Sequence, residues 1–106
     1  MPPPPPPTLP AYGRASLAEV VPSLLAALGA DGWVNALGVA PARATILLVV
    51  DGLGWELLRD HRDAAPFLSA YLDAGRSITS GYPSSTATSL AMLSTARPPI
   101  AHGLTG

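Results

Sequence analysis

The chain has 106 residues, of which 48% are hydrophobic and only 12% are charged, whereas a typical soluble domain carries about 25% charged residues. A length of one small domain excludes a multidomain protein, and the composition excludes both a disordered acidic tail and a basic nucleic-acid-binding module. Six basic and seven acidic side chains leave a net charge of −1, too little to attract phosphate backbones or anionic lipid. Cysteine is absent, which excludes disulfides, cysteine-based zinc sites and a thiol nucleophile.

So low a charge content predicts that part of the surface is covered, either by a partner or by further chain. The longest apolar run, Ile46–Val50, is far shorter than the roughly 20 residues that a membrane-spanning helix needs. The proline-rich start lacks the basic and apolar segments of a secretion signal. We therefore expect no membrane association and a cytoplasmic location.

Residues 1–13 are predicted to form a proline-rich disordered tail, because the six consecutive prolines Pro2–Pro7 cannot donate backbone hydrogen bonds and favour an extended polyproline II conformation. The tail is either a spacer or a ligand for an aromatic-lined groove of a partner. Ser16 and Glu19 have the spacing of a capping box, which predicts a helix that ends near Gly29.

The following elements alternate between strand and helix. Residues 45–50 form a continuous aliphatic run typical of a buried parallel strand, and residues 76–81 form a weaker strand. Helices are predicted over residues 55–62, from Pro66 onward, and over residues 87–96. This order predicts an α/β fold, whose ligands bind beyond the carboxyl ends of the strands.

Polar side chains follow both predicted strands. Asp51 comes directly after the first strand, and Ser84, Ser85 and Thr86 follow the second. Neighbouring parallel strands would bring these residues to one site, where a carboxylate can bind a divalent metal and a hydroxyl at a helix N-terminus lies near groups that stabilise anions. The combination indicates phosphate chemistry with the hydroxyl as nucleophile.

Each of these residues also has a purely structural interpretation, which spacing alone leaves open. An aspartate before glycine commonly forms an Asx-turn, and a hydroxyl residue before a helix is most often an N-cap. His61 is predicted to be solvated, and His102 to be either a turn residue or a buried hydrogen-bonding group. The chain contains no complete dinucleotide fingerprint, no phosphate-binding loop and no hydrolase nucleophile elbow.

The segment Ile46–Gly54, the run Tyr82–Ser89, and Pro98 and Pro99 followed by His102–Leu104 together resemble the type I phosphodiesterase/nucleotide pyrophosphatase family of the alkaline phosphatase superfamily. The resemblance runs from about Ser16 to Gly106. It implies the N-terminal part of an α/β domain with a mainly parallel sheet flanked by helices, which would occupy residues 14–106.

The resemblance also implies hydrolysis of phosphodiester or nucleotide pyrophosphate bonds with two divalent metal ions, usually zinc, and a phosphothreonine-type intermediate. Asp51 matches the first metal-ligand aspartate of the family, and Thr86 matches the nucleophile, which also contacts metal. Ser89 stands where some members have an asparagine that helps to hold the phosphoryl oxygen, and Ser94 and Ala96 stand where relatives often have glycine.

The remaining metal ligands of the family come from chain beyond the equivalent of Gly106, so the 106-residue chain is expected to be an inactive N-terminal portion. Its substrate would be a small phosphodiester or nucleotide, and its apolar surface would be covered by the missing C-terminal chain or by a partner. Two alternatives stay open: a catalytically silent fragment or interaction module that uses the proline-rich tail and apolar surface, and a sulfatase-like or phosphomutase-like relative.

Overall fold

The computed structural model describes residues 1–104, and these residues form two compact units. The first unit comprises residues 1–45 together with the chain from Thr79 onward, and the second unit comprises Ile46–Ile78. No helix in residues 1–104 combines the length and the apolar character that crossing a membrane requires.

The first unit begins its regular structure at the predicted capping box. The Ser16 hydroxyl accepts a hydrogen bond from the Ala18 N–H, and the Glu19 carboxylate accepts one from the Ser16 N–H at 2.7 Å. A 3-10 helix over Leu17–Glu19 continues into α1, Val20–Ala27. Gly29 follows with a φ of +88°, in the left-handed region that ends helices, so both predicted ends of this element are confirmed.

Two further helices complete the first unit: α4 spans Thr86–Thr95 and α5 spans Pro99–His102. The helix α4 packs against the 3-10 helix, α1 and α5. Its Met92 side chain is fully buried, and Ala18, Ala27 and Ala91 are also in this core. Small side chains allow such short helices to approach closely, and Met92 fills the remaining space.

The second unit contains α2, Trp55–Asp60, a 3-10 helix over Arg62–Ala64, and α3, Pro66–Ser69. The Arg62 guanidinium donates a hydrogen bond to the Asp73 carboxylate at 3.0 Å. This hydrogen bond and the positive charge of Arg62 hold the pKa of Asp73 below its ordinary value. Leu72 and Ser69 are the buried side chains of this unit.

The predicted α/β fold with a mainly parallel, alkaline-phosphatase-like sheet is wrong for the residues that the structure describes. About 37% of residues 1–104 are helical, and these residues contain no strand. From the second predicted strand, Thr79 makes a single parallel bridge with Ser16. The first predicted strand is irregular and solvent-exposed, with Ile46 at 94% and Val50 at 50% exposure.

The reason for this difference is that a strand is stable only when neighbouring backbone groups complete its hydrogen bonds. An aliphatic, β-branched run has the composition of a buried strand. Composition alone, however, does not provide the neighbouring strand whose backbone groups would complete its hydrogen bonds. In the first unit, Thr79 exchanges hydrogen bonds with the Ala15 carbonyl and the Leu17 N–H, each at 2.9 Å, and thereby joins the helix start instead of a sheet.

Candidate functional site

The candidate site centres on the N-terminus of α4. Ser85 has extended backbone dihedrals and is the N-cap, and its hydroxyl accepts a hydrogen bond from the Thr88 N–H at 3.3 Å. Serine is favoured at this position because its side chain satisfies one of the backbone N–H groups that lack an intrahelical partner. The structural interpretation of Ser85 as a helix cap is therefore confirmed.

A chain of hydroxyl groups extends from this cap into the first unit. The Ser85 hydroxyl donates to Thr88 Oγ1 at 2.9 Å, and the fully buried Thr88 hydroxyl donates to the Leu104 carbonyl at 3.3 Å. These two hydrogen bonds hold the start of α4 against the segment that follows α5. Thr88 was not predicted as a site residue; its only signal in the sequence is its position three residues after Ser85, where an N-cap side chain bonds a backbone N–H.

His102 borders the same segment. The Leu104 N–H donates to its Nδ1 at 3.0 Å, and its buried Nε2 has no hydrogen-bond partner among residues 1–104. His102 is half-buried at the end of α5, where it orients the turn toward Leu104. Neither alternative predicted for His102 is found as stated: it ends a helix, and its hydrogen bond at Nδ1 is exposed, whereas its buried Nε2 has no partner among residues 1–104.

Thr86 is the first residue of the ten-residue helix α4, and its side chain is exposed. The backbone N–H groups of a first helical turn point toward the N-terminus and, together with the helix dipole, favour a negatively charged group there. A hydroxyl at this position can therefore meet a phosphoryl group whose oxygens are stabilised by the helix.

Asp51 lies in the second unit, in a turn with Gly52, whose φ is +73°. The left-handed conformation of Gly52 is one that glycine adopts without the penalty of a Cβ atom. The Asp51 side chain is exposed. Asp51 and Thr86 belong to different units, so the fold of neither unit by itself contains both predicted site residues.

The predicted two-metal centre has no complete ligand set within the part of the chain that the structure describes. Residues 1–104 contain no cluster of three or more acidic, histidine or cysteine side chains that could hold a metal ion. His61 is exposed, and its Nδ1 lies 3.0 Å from the Leu57 carbonyl, within hydrogen-bond distance. The described residues therefore do not fit a resident pair of metal ions without additional ligands.

The sequence model of one protein family, type I phosphodiesterase / nucleotide pyrophosphatase, matches residues 45–106. The match begins at the aliphatic run before Asp51 and includes Thr86, α4 and the segment after α5. Because it covers more than half of the chain, the chain belongs to this family. No curated protein and no solved structure matches the chain.

The match confirms the predicted resemblance over residues 45–106 but not over residues 16–44, and it places the chain among proteins that hydrolyse phosphodiester and nucleotide pyrophosphate bonds. Small phosphodiesters or nucleotides are the corresponding class of substrate, and the family is in general metal-dependent.

Proposed function

We propose that this chain contributes Thr86 as the nucleophile and Asp51 as a metal ligand to a metal-dependent phosphodiesterase or nucleotide pyrophosphatase. The family match over residues 45–106, which contains both residues, carries the proposal. The position of Thr86 supports it, because Thr86 is an exposed residue at the start of α4, where the helix favours a negatively charged group.

In the proposed reaction, the Thr86 Oγ attacks phosphorus and loses its proton, while one ester oxygen leaves with the electron pair of its bond to phosphorus and takes up a proton. Water then attacks phosphorus in the resulting phosphothreonine, releases the phosphate product and restores the hydroxyl. The N-terminus of α4 stabilises the negative charge on the phosphoryl oxygens. The Ser85 and Thr88 hydroxyls position this helix end through their mutual hydrogen bond at 2.9 Å.

Metal ions bound at such a site lower the pKa of a nucleophilic hydroxyl and offset phosphoryl charge. Two ions require about six to eight protein ligands at about four each, more than the described residues bring together. We therefore expect the 106-residue chain by itself to show little or no turnover.

The role of Thr86 is tested by Thr86→Ala in the natural gene product, with zinc-supported hydrolysis of bis(p-nitrophenyl) phosphate as the readout. We expect a loss of activity of at least about a thousandfold, because no covalent intermediate can form. Ser84→Ala is the matched control, since Ser84 is a neighbouring exposed hydroxyl. Full activity of Thr86→Ala would contradict the proposal.

The role of Asp51 is tested by Asp51→Asn, with the zinc content of the purified protein measured by elemental analysis. We expect less bound zinc, because an amide is a weaker ligand than a carboxylate, whereas Thr86→Ala should leave zinc binding largely intact. Asp63→Asn is the control for an exposed aspartate of the same unit. An unchanged zinc stoichiometry in Asp51→Asn would refute the ligand role.

A further inference from the structure

Residues 44–50 leave their backbone hydrogen-bonding groups without protein partners. Within residues 1–104, no backbone or side-chain hydrogen bond involves a member of this segment, and every one of its residues is exposed. Unpaired N–H and C=O groups are a template for a further strand, and aliphatic side chains of high β propensity favour that pairing. The segment therefore has the chemistry of a strand that lacks its neighbour.

The apolar side chains of the segment differ in how much water they meet. Ile46 and Leu48, which would share one face of a strand, are 94% and 79% exposed. Leu47 and Val49, which would lie on the other face, are about half exposed. A neighbouring strand with apolar side chains opposite Ile46 and Leu48 would therefore cover the largest exposed apolar area of this segment.

Two opposite charges flank the segment symmetrically. Arg43 lies four residues before Leu47, and Asp51 lies four residues after it. The residues between Arg43 and Asp51 carry no charge, and both charged residues are exposed. This symmetry about Leu47 is the property that allows a segment to pair with a second copy of itself.

The charges select one orientation and one register for such a pair. An antiparallel pair centred on Leu47 places Arg43 of each copy opposite Asp51 of the other. The same register places Ile46 opposite Leu48 of the second copy. A parallel pair in register would instead place like charges beside each other, which is unfavourable.

We propose that residues 43–51 form an antiparallel strand pair with the same residues of a second copy, so that the chain is a dimer with two-fold symmetry. Each contact then occurs twice, because the symmetry repeats it. A carboxylate accepts several hydrogen bonds through its two oxygens, so the pair with Arg43 adds to the interactions that Asp51 has within its own chain. This dimer does not depend on the proposed function.

Charge reversal tests the pairing, with sedimentation equilibrium of the 106-residue chain at low ionic strength as the readout. We expect a concentration-dependent dimer in the wild type. Arg43→Glu should weaken dimerisation about tenfold, and the double variant Arg43→Glu with Asp51→Arg should restore it to within about threefold of the wild type. Arg97→Glu is the matched control, because Arg97 is also an exposed arginine of the first unit and the net charge changes equally. It should dimerise like the wild type.

Three results of this experiment would overturn the proposal. The first is a wild-type chain that stays monomeric at every concentration. The second is an equal weakening by Arg43→Glu and Arg97→Glu, because net charge would then be the cause. The third is a double variant that dimerises no better than Arg43→Glu, because Arg43 and Asp51 would then not be opposite each other.

The register is tested independently by Leu47→Cys, which introduces the single thiol of a chain without cysteine. In the proposed dimer the two thiols lie directly opposite each other, within the distance that a disulfide spans. Leu48→Cys is the matched control, since its thiols would be displaced by two positions along the strands. We expect the disulfide-linked dimer of Leu47→Cys to form at least about tenfold faster under mild oxidation. Equal rates for the two variants would indicate parallel pairing and would overturn the antiparallel dimer.

Discussion

The two units of the chain differ in what they bury. In the described part of the first unit the largest fully buried side chains are Met92 and three hydroxyl residues, Ser16, Ser23 and Thr88. Each hydroxyl has a hydrogen-bond partner: Ser16 pairs with Glu19, Ser23 accepts from the Leu37 N–H at 3.2 Å, and Thr88 donates to Leu104. Burying a hydroxyl is tolerated when such a partner replaces water.

The second unit, in contrast, leaves most of its large apolar side chains in contact with water. Ile46, Leu48, Phe67 and Tyr71 are all more than half exposed, and Leu72 is the buried exception. A segment this short has too little interior to bury all of its apolar residues. The comparison shows that burial does not follow the hydrophobicity of the sequence alone, since the most hydrophobic run, residues 46–50, lies in the unit with the fewer buried side chains.

The largest expected effect is that of Met92→Ala, which removes the central side chain of the first unit. A cavity at a fully buried methionine should lower the free energy of unfolding by about 2–5 kcal/mol. Urea unfolding monitored by Trp33 fluorescence in a Trp55→Phe background reports on this unit alone. Leu48→Ala, at a mostly exposed position in the second unit, should change this free energy by less than about 0.5 kcal/mol. If both substitutions lowered the free energy of unfolding equally, the proposed difference in side-chain burial between the two units would be contradicted.

A smaller effect is expected for Gly81→Ala, which tests how tightly the first unit is packed. A Cβ atom there would overlap the Met92 sulfur and lie 3.2 Å from both Pro99 Cγ and Thr88 Cγ2. Such overpacking should lower the free energy of unfolding by about 1–3 kcal/mol in the same urea assay. Gly54→Ala is the control, because a Cβ atom at Gly54 meets open space. A fully stable Gly81→Ala would show that this core is loosely packed.

The smallest effect concerns the surface pair of the second unit. Because Arg62 lowers the pKa of Asp73, the pair stabilises the folded state above the ordinary pKa of the aspartate, and this contribution is lost as the pH falls through the lowered pKa. Arg62→Ala should therefore raise the pKa of Asp73 in a carboxyl NMR titration. Arg59→Ala, which removes the contacts with Glu56 and Asp60, should leave the pKa of Asp73 unchanged. An unaltered Asp73 titration in Arg62→Ala would exclude Arg62 as the cause.

Features that depend on a few neighbouring residues could be predicted from the sequence. The capping box at Ser16, the glycine stop at Gly29, the proline start at Pro66 and the helix after Ser85 all appear in the structure. Each arises because a side chain or a backbone preference acts within one helical turn. The family could also be predicted, because the residues that identify it are present in the sequence itself.

The sheet, in contrast, was predicted from composition, and that prediction is wrong. Whether a sheet forms depends on whether distant backbone segments pair, and the aliphatic run at residues 46–50 has the same composition with or without a partner strand. The predicted site assumed two neighbouring parallel strands, and residues 1–104 form none. The position of the candidate nucleophile, in contrast, depends only on a local helix start.

The sequence by itself therefore determined the family and several helix ends, because these are properties of short segments, whereas the roles of Asp51 and Thr86 stay predictions. Packing in three dimensions determined that Thr88 and Met92 form the interior of the first unit and that Tyr12 and Tyr82 line an open apolar groove. The physical reason is that these contacts join residues up to 70 positions apart, as in the hydrogen bond between the Tyr82 N–H and the Tyr12 hydroxyl. No local pattern in the chain specifies a contact of that range.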